Sequence, residues 1–157
     1  MSTSQILSKA ELLNHWQGHR RLTRRVIEAF PEDKLFTFSV GGMRPFAELA
    51  KEMLSMAVPG LQGIVNRTES AYEESLPDIT TKEKLLHQWD EATPHIDMLF
   101  NQISEADFHE TFNLFGQYNF PVIENILYFI DNEIHHRAQG YVYLRALEIQ
   151  PPFFWER

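Results

Sequence analysis

The sequence contains no cysteine, which excludes disulfide bonds, zinc sites built from thiolates and a cysteine nucleophile. Positive charge is also scarce: 14 lysine and arginine residues stand against 22 aspartate and glutamate residues, so the net charge is −8 at pH 7. This charge would repel a phosphate backbone, and we therefore expect no binding to nucleic acid. No apolar run approaches the length of a membrane span, and the N-terminal MSTSQILSKAELL lacks the segments of a signal peptide. These absences favour a cytoplasmic protein that does not contact a membrane.

The residues that are present suit a globular protein. The chain has 157 residues, of which 43% are hydrophobic and 23% are charged. That length and composition allow one domain with a substantial hydrophobic core. No internal repeat, glycine-rich phosphate loop or nucleophile elbow is found in the sequence. We expect residues 1–157 to form a single domain.

The first part of the chain has a helical period. Ser8 and Glu11 form a capping box that opens a first helix, and Pro31 ends it. Residues 31–44 are predicted to be a linker, because two glycines lie near its end and no period continues through it.

Pro45 suits the first turn of a second helix, where its missing N–H costs nothing. This helix is predicted to run to about Asn66, with a kink or break at Pro59. The polar stretch from Arg67 to Thr80 then forms a long connection.

Two further helices follow, and no convincing strand pair is predicted. Thr80 and Glu83 form a second capping box, and Pro94 should bend the helix that they open. After a region of irregular turns, Pro121 opens a last helix that can run to Ile149. Four helices with a long crossover between the second and third predict an all-α, four-helix bundle.

The C-terminal tail is rich in aromatic residues. Phe153, Phe154 and Trp155 follow two prolines that stop the last helix. Because aromatic side chains dominate core burial, we expect this tail to pack over the end of the bundle.

Two adjacent histidines stand in the middle of the last helix. On a helical projection, His136 lies on the apolar stripe with Phe129 and Tyr143, whereas His135 lies on a polar flank. Asn132 is one turn before His136 on the same face. Two interpretations remain open: His136 is a core histidine that is hydrogen-bonded to a neighbour, or it binds a metal together with Asn132.

His15 and His19 form a second pair with helical spacing. Two imidazoles four residues apart are by spacing a better metal motif than Asn132 and His136. Nothing else in the surrounding sequence supports a metal there, so a structural or surface role is the alternative.

Three segments of the sequence together resemble one known family. They are NEIHHRAQGYVYLRALEIQPPFFWE near the C-terminus, GQYNF before the last helix, and MRPFAELAKEM around the start of the second helix. The whole chain thereby resembles the DinB-like superfamily. The resemblance implies a four-helix bundle with a long crossover, which agrees with the helices predicted above, and it implies a homodimer.

The resemblance also implies a divalent metal site made by three histidines, one in the second helix and two spaced four apart in the last. Carried over position by position, these ligands become Glu52, Asn132 and His136. Two of the three positions therefore depart from the family pattern, which weakens the case for firmly bound zinc and leaves nickel or manganese as other candidates. The alternative for Glu52 is a solvent-exposed side chain.

Two functions follow from these observations. The first is a metal-dependent transferase or hydrolase, of the thiol-transfer class that the resemblance implies, in which the metal lowers the pKa of bound water or thiol. The second is a non-catalytic helical bundle that has lost the metal and keeps a polar pocket for a small molecule.

Overall fold

Four long helices and one short helix make up most of the molecule, which the computed structural model describes from residue 5 to residue 157. They are α1 (Lys9–Ala29), α2 (Glu32–Thr37), α3 (Phe46–Asn66), α4 (Lys82–Gln102) and α5 (Val122–Ala146). A 3-10 helix (Ala106–His109) and two short strands, β1 (Thr111–Leu114) and β2 (Tyr118–Pro121), lie between α4 and α5.

The four long helices pack as a bundle. α3 lies against α4 and α5, and α1 also lies against α4 and α5. A long crossover joins α3 to α4, beginning at Arg67, whose φ of 54° ends α3. The predicted all-α, four-helix bundle with its crossover between the second and third long helices is confirmed.

The core has two halves. One half, which we call the hairpin half because it includes residues of β1, contains Trp16. The ring centroid of Trp16 lies 5.9 Å from that of Phe129. The other half, which we call the α2 half because it includes Leu35 of α2, contains Trp89. It also contains Phe30 and Phe46, whose rings stack with centroids 5.0 Å apart. Each half therefore has its own aromatic centre.

Close approach of α5 to α3 depends on a glycine. A Cβ added at Gly140 would lie 2.6 Å from the ring of Phe46, which is fully buried. Since that distance is too short for any side chain, Gly140 lets the inward face of α5 lie directly against α3. This contact brings the residues discussed below within reach of one another.

The strands form a hairpin that the sequence analysis missed. β1 and β2 pair antiparallel, with Thr111 opposite Pro121 and Leu114 opposite Tyr118. The turn has positive φ at Phe115 (55°) and Gly116 (70°). The expectation of no strand pair is therefore wrong.

Two local predictions near helix starts also need correction. Residues 31–44 are not entirely a linker, because α2 forms just after Pro31. The cap of α4 is Thr81, not Thr80: its side chain accepts a hydrogen bond from the N–H of Lys84. The capping box of α1 is confirmed, since Ser8 and Glu11 each accept from the other's backbone N–H.

Two prolines lie inside helices, and the break that was one alternative at Pro59 does not occur. α3 continues through Pro59 without a break, and α4 continues through Pro94. α5 ends at Ala146 rather than Ile149, because Glu148 takes a φ of 61° that closes the helix.

The tail does not cover the bundle end. Phe153, Phe154 and Trp155 are 50%, 63% and 62% exposed, so the packing predicted for them is wrong. They contact each other instead, and the rings of Phe153 and Trp155 stack with centroids 4.9 Å apart.

Candidate functional site

The three side chains picked out in the sequence meet between α3 and α5. Glu52 lies on α3, while Asn132 and His136 lie one turn apart on α5. All three are buried, with exposed fractions of 9%, 8% and 8%. The alternative of a solvent-exposed Glu52 is therefore wrong.

One carboxylate oxygen joins the three residues. Glu52 Oε1 accepts a hydrogen bond from Asn132 Nδ2 at 2.9 Å and one from His136 Nε2, also at 2.9 Å. The sequence thus identified three residues that share one polar cluster. Glu52 is 80 positions before Asn132 and 84 positions before His136.

An arginine that sequence reasoning missed completes the cluster. Arg44 donates from Nη2 to Glu52 Oε2, and its Nη1 pairs with Glu74 of the crossover. The Tyr143 hydroxyl donates to the Arg44 carbonyl oxygen at 2.8 Å and fixes this part of the linker. Arg44 precedes α3 in an aperiodic segment, so its only sequence signal was a positive charge next to a helix start.

The hydrogen bonds determine the charge of His136. Its Nδ1 lies 2.9 Å from Gln139 Oε1, and its Nε2 faces Glu52 Oε1. Both partners are acceptors, an arrangement that is fully satisfied when both ring nitrogens donate, as they do in the imidazolium form. Burial acts against this charged form, but the hydrogen bonds with Glu52 and Gln139 outweigh it and raise the pKa of His136.

Glu52 is correspondingly held in its ionised form. The hydrogen bond from His136 is the main cause, and bonds from Asn132 and Arg44 add to it, so that the pKa of Glu52 falls to about 2 despite burial. The cluster therefore contains two cations, Arg44 and His136, and two carboxylates, those of Glu52 and Glu74.

This donor set does not fit a divalent metal. To bind there, a metal would have to displace the hydrogen of His136 Nε2 and compete with three side-chain donors for the oxygens of Glu52. The guanidinium of Arg44 adds a fixed positive charge where a cation would have to bind. Within residues 5–157, no group of three histidine, aspartate or glutamate side chains is arranged to hold a metal ion.

The charge assigned to His136 can be measured directly. NMR of the ring nitrogens over a pH titration should give His136 a pKa above the usual value of 6.5. Glu52→Gln should lower this pKa, because it removes the negative charge. Since the folded pKa is the higher one, the stabilisation from this pair should fade as the pH rises through it. A pKa of 6.5 or lower for His136 would contradict the assignment.

Two partly exposed side chains border the cluster: Arg44 bonds to Glu52, and Tyr128 lies one turn before Asn132 on α5. The side chain of Arg44 is 43% exposed, and Tyr128 is 44% exposed and stacks on Tyr118 with centroids 6.1 Å apart. Burial, Tyr118 and the charge of Glu52 raise the pKa of Tyr128, which places this ring in the field of the cluster. We call Arg44, Tyr118 and Tyr128 the site edge.

The second histidine pair has a different environment. His15 Nε2 and His19 Nε2 are 3.2 Å apart, but Arg137 donates to His19 Nδ1 at 2.9 Å and Arg157 to His19 Nε2 at 2.8 Å. Burial, then the charges of Arg137 and Arg157, lower the pKa of His19 to about 3. Cations face both nitrogens of His19, so the geometry favours the structural role over metal binding.

Comparison with known proteins agrees with this architecture. Residues 1–155 match the sequence profile of the DinB family. A DinB-like protein from Bacillus cereus superposes with a TM-score of 0.75 at 15% identity, over 92% of this chain and 95% of that one. A DinB-like protein from Bacillus subtilis gives a TM-score of 0.72 at 18% identity, over 93% and 99%. No match is found among curated proteins.

The profile match spans almost the whole sequence, and the two solved structures share the helical fold. The chain belongs to the DinB family.

Proposed function

We propose that this protein binds a small molecule at the site edge and works without a catalytic metal. The observation that carries the proposal is the saturated cluster: every oxygen of Glu52 and every nitrogen of His136 already has a partner within the chain. A polar cluster that satisfies itself needs no ion to be stable.

The site edge suits a ligand with an anionic group and a flat apolar part. Arg44 is shared between buried Glu52 and Glu74, whose side chain is 46% exposed. A ligand carboxylate can take the place of Glu74 on the guanidinium, because arginine binds carboxylates through two parallel hydrogen bonds. Tyr128 and Tyr118 would then contact the rest of the ligand.

A calorimetric titration of the chelator-free protein with zinc chloride, and separately with sodium benzoate, tests this proposal. We expect no stoichiometric zinc binding, because a metal would have to displace a proton from His136 and the cation of Arg44. We expect benzoate to bind, and Arg44→Ala to weaken it by about tenfold or more, as for the loss of a charge-assisted hydrogen bond. Arg67→Ala is the matched control, since Arg67 pairs with Asp107 at the surface.

The second candidate function is a metal-dependent transferase or hydrolase of the thiol-transfer class. The convergence of Glu52, Asn132 and His136 within hydrogen-bond distance favours it. A stoichiometric zinc, nickel or manganese ion that is lost in His136→Ala would support this candidate and refute the metal-free proposal. Benzoate that binds wild type and Arg44→Ala equally would refute the site edge as the binding surface.

A further inference from the structure

A cleft lies between α3, α4 and the crossover, and none of the three residues of the site edge lines it. Its volume is about 510 Å³, which is within the usual range for small-molecule pockets. One wall is apolar and is made by Leu54, Val58, Leu76, Ala92 and Phe115. Such a wall can bury the hydrocarbon part of a ligand.

The charge of the cleft has one sign. Glu73 of the crossover and Glu91 of α4 line it, and no lysine or arginine is among its described lining residues. Across residues 5–157, Glu73 forms no ion pair. Glu91 lies 3.2 Å from His87 and accepts a hydrogen bond from Gln88, which also lines the cleft, at 3.1 Å. A carboxylate that faces an apolar cleft without a cation favours a positively charged ligand.

Several oxygen atoms of the cleft can accept hydrogen bonds, whereas the side chains of Gln88 and His95 can also donate. Pro59 has no N–H, so the carbonyl of Ser55, four residues earlier, lacks its usual helical partner, and both residues line the cleft. The hydroxyls of Ser70 and Ser75 supply further oxygen atoms. A ligand that brings several N–H donors would match this lining.

We propose that this cleft binds a small aliphatic amine in its ammonium form. The ammonium group lies between Glu73 and Glu91, and the hydrocarbon chain lies on the apolar wall. The inference is independent of the function proposed for the site edge, because the two sites share no lining residue and favour ligands of opposite charge.

Titration of the full chain with n-hexylamine, n-hexanol and hexanoate tests this inference. Hexylamine should bind more tightly than hexanol, and hexanoate should bind least. Glu73→Gln together with Glu91→Gln should weaken hexylamine by about tenfold and leave hexanol unchanged, as for the loss of two exposed ion pairs. The matched control is Glu83→Gln with Glu124→Gln, which changes the net charge equally at two exposed positions outside the cleft.

A further variant tests whether hexylamine and hexanol bind in this cleft. Ala71→Trp places a large side chain at an exposed crossover position that lines the cleft, and it should abolish binding of hexylamine and hexanol alike. Equal affinities for hexylamine and hexanol would overturn the charge argument. An amine preference that survives in the Glu73→Gln, Glu91→Gln variant, or the absence of any hexylamine binding, would overturn the site.

Discussion

Replacing Glu52 with alanine is expected to lower the free energy of unfolding by about 2–4 kcal/mol. The change removes the acceptor for Asn132, His136 and Arg44 together. Asn132 and His136 are 8% exposed and cannot regain water, whereas Arg44 is 43% exposed at its side chain and can. The expected loss in the free energy of unfolding is therefore smaller than for a charge network that is buried completely. Urea denaturation, with the m-value compared between variants, would measure it.

Glu28→Ala on α1 supplies the control. The Glu28 carboxylate pairs with Arg24, and the side chains of Glu28 and Arg24 are 47% and 34% exposed, so its loss should cost at most about 1 kcal/mol. Equal costs for the two alanine variants would show that the buried cluster contributes no more to stability than a surface ion pair.

A metal site should appear when Arg44→Ala is combined with Asn132→His. The double variant removes the competing cation and leaves two histidines and one glutamate, which is a ligand set of catalytic zinc sites. Zinc affinity should rise by about 100-fold or more over the wild-type protein, because the variant removes the cation of Arg44 and replaces the amide of Asn132 with an imidazole. Calorimetry with zinc chloride, and cobalt absorption spectra of the loaded protein, would measure the gain.

Two further variants separate the effect of the Arg44 cation from the effect of the ligand set. Asn132→His alone keeps Arg44 on Glu52 and should gain much less than the double variant. Adding His136→Ala to the double variant should remove the bound ion. If zinc binds the wild-type protein as tightly as the double variant, Arg44 does not compete with a metal, and the metal-free proposal fails with it.

The long helices could be predicted because their signals are local. The Ser8 capping box and the apolar stripe through His136 each depend on residues a few positions apart. α2 and the strands of the hairpin were missed because they are only four to six residues long, which is too short to show a period. Leu35, for example, is fully buried in the α2 half of the core, yet nothing periodic surrounds it in the sequence.

The candidate site was predictable only in part. His136 and Asn132 were found from the helical projection, and Glu52 through the family resemblance. Whether the three meet depends on helix packing, which no single segment encodes. Arg44 changes the chemistry of all three and was invisible, because a linker residue has no period to mark its direction. The homodimer and the bound metal that the resemblance implies stay predictions.

The distribution of the tryptophans gives each half of the core its own optical reporter. Trp16 and Trp89 are each 1% exposed and lie in different halves, whereas Trp155 is 62% exposed in the tail. Fluorescence emission that shifts to longer wavelength on denaturation must therefore come from the first two. A protein that keeps only one of them would show whether the two ends of the bundle come apart in a single step or one after the other.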